Sequence, residues 1–215
     1  MLRRFLGYLN VKISSVGFDT FLPDFEEDFG CERVYMLAQL SGNEADWQGR
    51  RRKDKINLGN TFSWNRFFKK PLVTEPKNLA GIDVFLKSCE YLSDMETRGC
   101  QDYWEPPDIF EERKTGDCED HAIWAWRHLH TLGYKTRLVL GDCKGGHAWV
   151  HIYVNDRVYL LEATQKVNVL PLVKYYTPYW SVQRMTSKKF ATYEHSPPKT
   201  FLDGPMINPE EMSDE

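Results

Sequence analysis

From Asn78 onward the apolar positions fall into a helical rhythm. In NLAGIDVFLKSCEYLSDMETRG, Leu79, Ile82, Phe85, Leu86, Cys89 and Leu92 recur at spacings of three and four, which lays them along one helix face. Asn78 precedes the stripe as an N-cap, and Arg98 followed by Gly99 closes it. Cys89 lies on the stripe and is expected in the core. The next stretch, QDYWEPPDIFEERKTG, predicts a short helix that starts near Pro107 and stops before Gly116. A third helix is predicted from Cys118 to about Leu132, ended by Gly133, with Asp117 as its N-cap. Asp120, three residues on, completes a pair that resembles a capping box.

Beyond Gly133 the rhythm shortens. YKTRLVLGDC, HAWVHIYV and RVYLLEAT are rich in β formers, with DCKGG (142–146) and Asn155-Asp156 as turns between them. The predicted order is therefore a helix followed by a three-stranded antiparallel meander. Its core should include Leu138, Leu140, Val150, Ile152, Val154 and Leu160.

The first 77 residues pattern less sharply. NVKISSV reads as a short strand, and DFEEDFGCERVYMLAQL as a helix with a poor start. GRRRKDK (49–55) places five basic residues in seven, a run expected to be a solvated loop rather than an anion contact. Residues 196–215 carry four prolines, and from Asp203 onward five acids and no base, which predicts a mobile acidic tail. The expected division is an N-terminal extension over 1–77 packed on the core, a domain over 78–195, and the tail over 196–215.

Composition narrows the class. A chain of 215 residues with 41% hydrophobic and 14% aromatic residues can bury a core without metal or disulfide staples. A net charge of -3 argues against a nucleic-acid partner or an acidic membrane surface. Cys31, Cys89, Cys100, Cys118 and Cys143 are odd in number and lack C-x-x-C spacing, so neither a disulfide framework nor a four-thiolate zinc site is expected. Reduced thiols, together with an N-terminus lacking an apolar h-region, point to the cytoplasm.

Candidate chemistry centres on KTGDCEDHAIWAW. Cys118 would open a helix, where unpaired N–H groups and the macrodipole favour a thiolate. Asp117 and Glu119 oppose this, so an imidazole partner is needed. His121 lies along the same helix surface, and His128 and His130 lie too far along it to help. A metal site built on those last two lacks partners. His195 is near the tail. His147 and His151 share a face of one strand, and His147 opens that strand just after a Gly-Gly turn. If 147–154 pairs antiparallel with 157–164, residues near 163 and 164 lie opposite His147, and Glu162 falls within one or two positions of it. Cys118 alone would read as an ordinary buried thiol. Cys118, His147 and Glu162 together read as a catalytic set. Cys143 has no identifiable base.

GDCEDHA, GHAWVHIYV and VYLLEAT resemble, in order, the three motifs of the transglutaminase-like cysteine hydrolases, over residues 80–165. YWEPPDIFEERKTGDCED is similar, more narrowly, to the bacterial transglutaminase-like cysteine proteinases, where a Trp-x-x-Pro segment precedes a Gly-Asp-Cys-Glu-Asp box. The resemblance implies an α+β fold with a papain/transglutaminase-like core, the catalytic Cys at a helix N-terminus packed on an antiparallel sheet of three or more strands. It implies Cys118 as nucleophile, His147 as base and Glu162 as orienter, although the family's third residue is usually Asp. The Cys118 backbone N–H is a natural oxyanion donor, and the Trp104 indole is a candidate second one. Some members of the proteinase branch bind calcium through the acids that flank the cysteine, here Asp117 and Glu119. Capping and solvation are the preferred roles for those two acids, and no cofactor is expected to be required. The implied activity is hydrolysis of a protein or peptide substrate through a thioester. Transglutaminase crosslinking and a non-catalytic binding module are the alternatives, and the presence of all three residues argues against the second.

Overall fold

Asn78 starts a helix as the apolar spacing requires. In this computed structural model, which describes residues 36–42, 44–52, 63–166 and 171–195, the Asn78 side chain accepts the Gly81 N–H and caps α1 (Leu79–Ser88). The helix then stops well short of Gly99. Cys89 turns extended, and Glu90–Tyr91 form β3, which pairs in parallel with β4 (Thr115–Gly116). A separate short helix, α2 (Asp94–Arg98), follows, with Ser93 and Glu96 forming a full capping box and Gly99 closing it at φ 69°. The single helix expected here is two helices, because Ser93-x-x-Glu96 is itself a start signal that the apolar stripe masks. The next two helices, α3 (Pro107–Arg113) and α4 (Cys118–Thr131), match their predicted spans.

The predicted meander forms the centre of a larger sheet. It consists of β5 (Lys135–Asp142), β6 (Gly146–Val154) and β7 (Arg157–Leu161), turned at Asn155-Asp156 with both residues at positive φ. β8 (Thr177–Arg184) and β9 (Phe190–Glu194) extend it on one side. The two outermost strands come from the first 77 residues: β1 (Leu37–Gln39) pairs with β7, and β2 (Arg50–Arg52) pairs with β9. The order is β1-β7-β6-β5-β8-β9-β2, antiparallel throughout.

Two expectations upstream are corrected here. The helix read over DFEEDFGCERVYMLAQL is a strand at its described end, since a short apolar run carries no period and pairing with β7 decides its conformation. The basic run is an edge strand at Arg50–Arg52 rather than a loop, with Arg50 and Arg52 both on Glu194 at 2.7 and 2.8 Å. The expected strand NVKISSV and the expected tail 196–215 lie outside the described residues, as does the rest of GRRRKDK.

The sheet is buried on both faces. Leu138, Val150, Ile152 and Leu161 face α1 and α4, where Phe85 stacks on Trp124 with ring centroids 3.9 Å apart. Val139, Trp149, Tyr153, Val158 and Leu160 face the other way, beneath Leu40 and Trp47. Of the expected core, Leu138, Val150, Ile152 and Leu160 are fully buried, while Leu140 and Val154 are partly so. Among the described residues no helix is long and apolar enough to cross a membrane.

Gly141 sits opposite His147, at the register shift where β5 passes from Leu140 to Gly141 along β8. A Cβ there would overlap the Thr177 carbonyl oxygen and lie 2.6 Å from Trp149 Cη2. Gly141→Ala is expected to destabilise the fold by about 1–3 kcal/mol through overpacking. Urea unfolding checks this, and an unchanged midpoint would contradict the close approach of β5 to β8.

Candidate active site

The acids around Cys118 do not behave as caps. Asp117 occupies the N-cap position of α4 in extended conformation, yet its side chain makes no capping bond. Asp120 Oδ1 accepts the Glu105 N–H at 2.7 Å, and its carboxylate also takes the Asp117 backbone N–H, so only half of a capping box exists. Glu119 is buried rather than solvated, and its Oε2 accepts the Cys118 S–H at 3.3 Å. The Ala148 backbone N–H reaches the same sulfur. Burial pushes the Cys118 thiol up, and the Glu119 and Asp117 carboxylates push it further in the same direction. The favourable field expected from the helix start is therefore outweighed, because two anions and lost solvent act more strongly on the sulfur than the partial charges of one helix turn. Trp104 is also engaged elsewhere: its indole N–H donates to Asp102 Oδ1 at 2.9 Å.

His147 and Glu162 meet as the strand arithmetic predicts. Val150 pairs with Leu161 and Val154 with Arg157, and continuing that register sets Thr164 opposite His147. His147 Nε2 lies 2.8 Å from Glu162 Oε2. A carboxylate facing Nε2 selects the tautomer with its proton there and leaves the Nδ1 lone pair free for chemistry. Ala148, which touches the Cys118 sulfur, is the next residue in the chain, so all three candidates gather at one end of β6.

Glu162 is buried and fully partnered. Oε1 accepts the Thr164 N–H at 2.9 Å and the Thr164 hydroxyl at 2.7 Å, while Oε2 accepts the Tyr176 hydroxyl at 2.7 Å besides His147. Burial alone would raise its pKa, but these donors, His147 first, hold it below the ordinary carboxyl value. Its backbone N–H donates to the Met36 carbonyl at 2.8 Å, just before β1. No motif spacing pointed to Thr164 or Tyr176. The other histidines are poor bases: burial pushes His121, His128 and His195 down to about 4, lowers His130, and takes His151 well below its ordinary value.

A second group of carboxylates adjoins the thiol. Asp94, Asp117 and Asp120 bring ligand oxygens within 4.8 Å of one another, as do Asp94, Asp102 and Glu119. Burial, then Asp117, raises Glu119, and burial with Asp117 pushes Asp120 up to about 8. Burial raises Asp94 as well, although it accepts the Tyr103 N–H. Asp117 Oδ1 and Glu119 Oε1 are buried without a hydrogen-bond partner. Those two hard oxygens, crowded by neighbouring acids and without a donor among the described residues, fit a divalent cation. Only Asp117 and Glu119 of this set were visible as candidates in the sequence, because Asp94 and Asp102 arrive from α2 and the following loop.

Residues 72–161 match the family model described as the transglutaminase-like superfamily. That span includes Cys118 and His147 and ends one residue before Glu162. Three solved structures of Legionella pneumophila LapG are similar to the chain. The EGTA-treated form is 23% identical with a TM-score of 0.39, over 46% of this chain and 59% of that one. The calcium-bound form is 23% identical with a TM-score of 0.40, over 53% and 66%. A third is 20% identical with a TM-score of 0.42, over 63% and 75%. The chain thus spans less than two thirds of the first two. No curated protein matches it.

The bonds to Glu162 make stability depend on pH in a defined direction. Its folded pKa lies below the ordinary 4.5, so its contribution is present above about pH 4.5 and fades as pH falls through the folded value. The stability difference between the native chain and Glu162→Gln is expected to shrink over that acid range. Urea midpoints at stepped pH check this, and a difference constant with pH would contradict it.

Proposed function

We propose, from the match of residues 72–161 to the transglutaminase-like superfamily model, that the chain is a cysteine hydrolase of that superfamily acting on peptide or amide bonds of a protein substrate. Cys118 is the nucleophile, His147 the general base and then acid, and Glu162 the orienter. The observation that carries this reading is the 2.8 Å His147–Glu162 bond, set beside a thiol that touches Ala148.

His147 takes the Cys118 proton, and the sulfur attacks the scissile carbonyl carbon. The Cys118 backbone N–H, at the first turn of α4, is the donor offered to the oxyanion of the tetrahedral intermediate. His147 then returns the proton to the departing amine, leaving a thioester. Water attacks the thioester with His147 again as base, and the acid and free thiol are released.

Burial first, and then the carboxylates beside it, push the Cys118 thiol up, which bears on the need for a metal. Two overlapping sets of oxygens, Asp94 with Asp117 and Asp120 and Asp94 with Asp102 and Glu119, are suited to calcium. Calcium bound there supplies positive charge against the carboxylates that raise the Cys118 thiol. This replaces the simpler assignment of Asp117 and Glu119 as cap and solvated acid.

Two measurements test these statements. In calcium chloride, iodoacetamide is expected to label Cys118 selectively, and His147→Ala to slow that labelling on the order of 10²-fold. Adduct mapping that finds Cys118 no faster than Cys143 or Cys100 would sink the nucleophile. Titration of the folded protein with calcium chloride by calorimetry should give a binding heat that Asp117→Asn removes, and no heat in the native chain would end the calcium reading. A glutamine donor with a labelled amine then separates hydrolysis from crosslinking.

A further inference from the structure

A glutamate stands where the resembling family usually carries an aspartate, and the surroundings of Glu162 answer the difference. The extra methylene adds a torsion, so the carboxylate has more orientations to lose before it can hold an imidazole. Both of its oxygens are pinned from outside β7. Thr164 takes Oε1 through two bonds, and the Tyr176 hydroxyl shares Oε2 with His147. Tyr176 arrives from a different element, the residue just before β8. Its ring packs edge-on against the fully buried Trp149, with centroids 5.4 Å apart at 80°, and lies 6.1 Å from the His147 ring. The Cys143 thiol reaches the same hydroxyl.

We propose that Tyr176 is a positioning residue, acting through Glu162, that makes a glutamate competent to orient His147. The inference rests on the triad reading above. Trp149 fixes where the phenol oxygen sits, and the hydroxyl fixes Oε2, so the imidazole meets one acceptor geometry rather than several. Burial and the Glu162 charge push the phenol upward, which keeps it a donor throughout the neutral range. A hydrogen bond to an ionised carboxylate is of the strong kind.

The test uses the full-length chain in calcium chloride and the rate of Cys118 alkylation by iodoacetamide, with Cys100 in the same molecule as reference. Tyr176→Phe keeps the ring on Trp149 and removes only the hydroxyl. It is expected to slow Cys118 about tenfold, the scale of one charged hydrogen bond, with the melting temperature and the Cys100 rate unchanged. In a Glu162→Gln background the same substitution should cause no further loss. Equal Cys118 rates in the native chain and Tyr176→Phe would overturn the proposal, and so would an equal loss in both backgrounds. A fall at Cys118 accompanied by a rise at Cys100 would reduce Tyr176 to scaffolding and also overturn it. If the native Cys118 is itself no faster than Cys100, the triad reading fails first, which separates the two outcomes.

Discussion

A carboxylate can stay charged away from water only if donors replace the solvent it has lost. Glu162 has four, and they come from three separate pieces of the fold. His147 requires the start of β6, Thr164 the chain just past β7, and Tyr176 the approach to β8. Met36 holds the backbone at Glu162 from the other side. Burying that one charge therefore commits four stretches of chain to a common end of the sheet. The same demand explains why Trp149 is buried next to a polar cluster: it walls the site and gives Tyr176 something rigid to lean on.

The acids on the other side of Cys118 show the opposite solution. Asp94, Glu119 and Asp120 are as deeply buried as Glu162, but burial and neighbouring acids outweigh what opposes them, Arg98 at Asp94 and Asp120 included, and their pKa values are raised. A thiol between a satisfied carboxylate and an unsatisfied group sits in an uneven field. Reactivity at Cys118 then depends on what balances the unsatisfied side, which sequence spacing alone does not describe.

Much of the site was legible because its parts lie on regular elements. The period of two on β6 and the two-residue turn at Asn155-Asp156 are enough to bring Glu162 to His147, and the start of α4 follows from Asp117, Cys118 and the apolar positions after them. The α+β layout and the central meander followed from the same periodicities. What escaped were contacts made by irregular chain. Tyr176 and Asp102 sit on loops, and Asp94 opens a five-residue helix that the stripe beginning at Leu79 absorbed. The charge logic at Cys118 escaped for a related reason: burial of Glu119 is a tertiary fact, and it reverses the sign of what a helix N-terminus would do alone. Both faces of the sheet being covered also explains the apolar runs in β5 and β7, where alternation is weak.

β1 and β2 are each three residues long, and both come from one short reach of chain that passes over the outer face of the sheet. That reach caps the two margins where a foreign strand would otherwise add. It also supplies the Met36 carbonyl behind Glu162. A single cut or peeling event there would uncover two sticky borders and slacken the carboxylate that aims the imidazole. Both margins of the sheet and the backbone behind Glu162 thus hang on the same short reach of chain, from Met36 to Arg52, and would be released together.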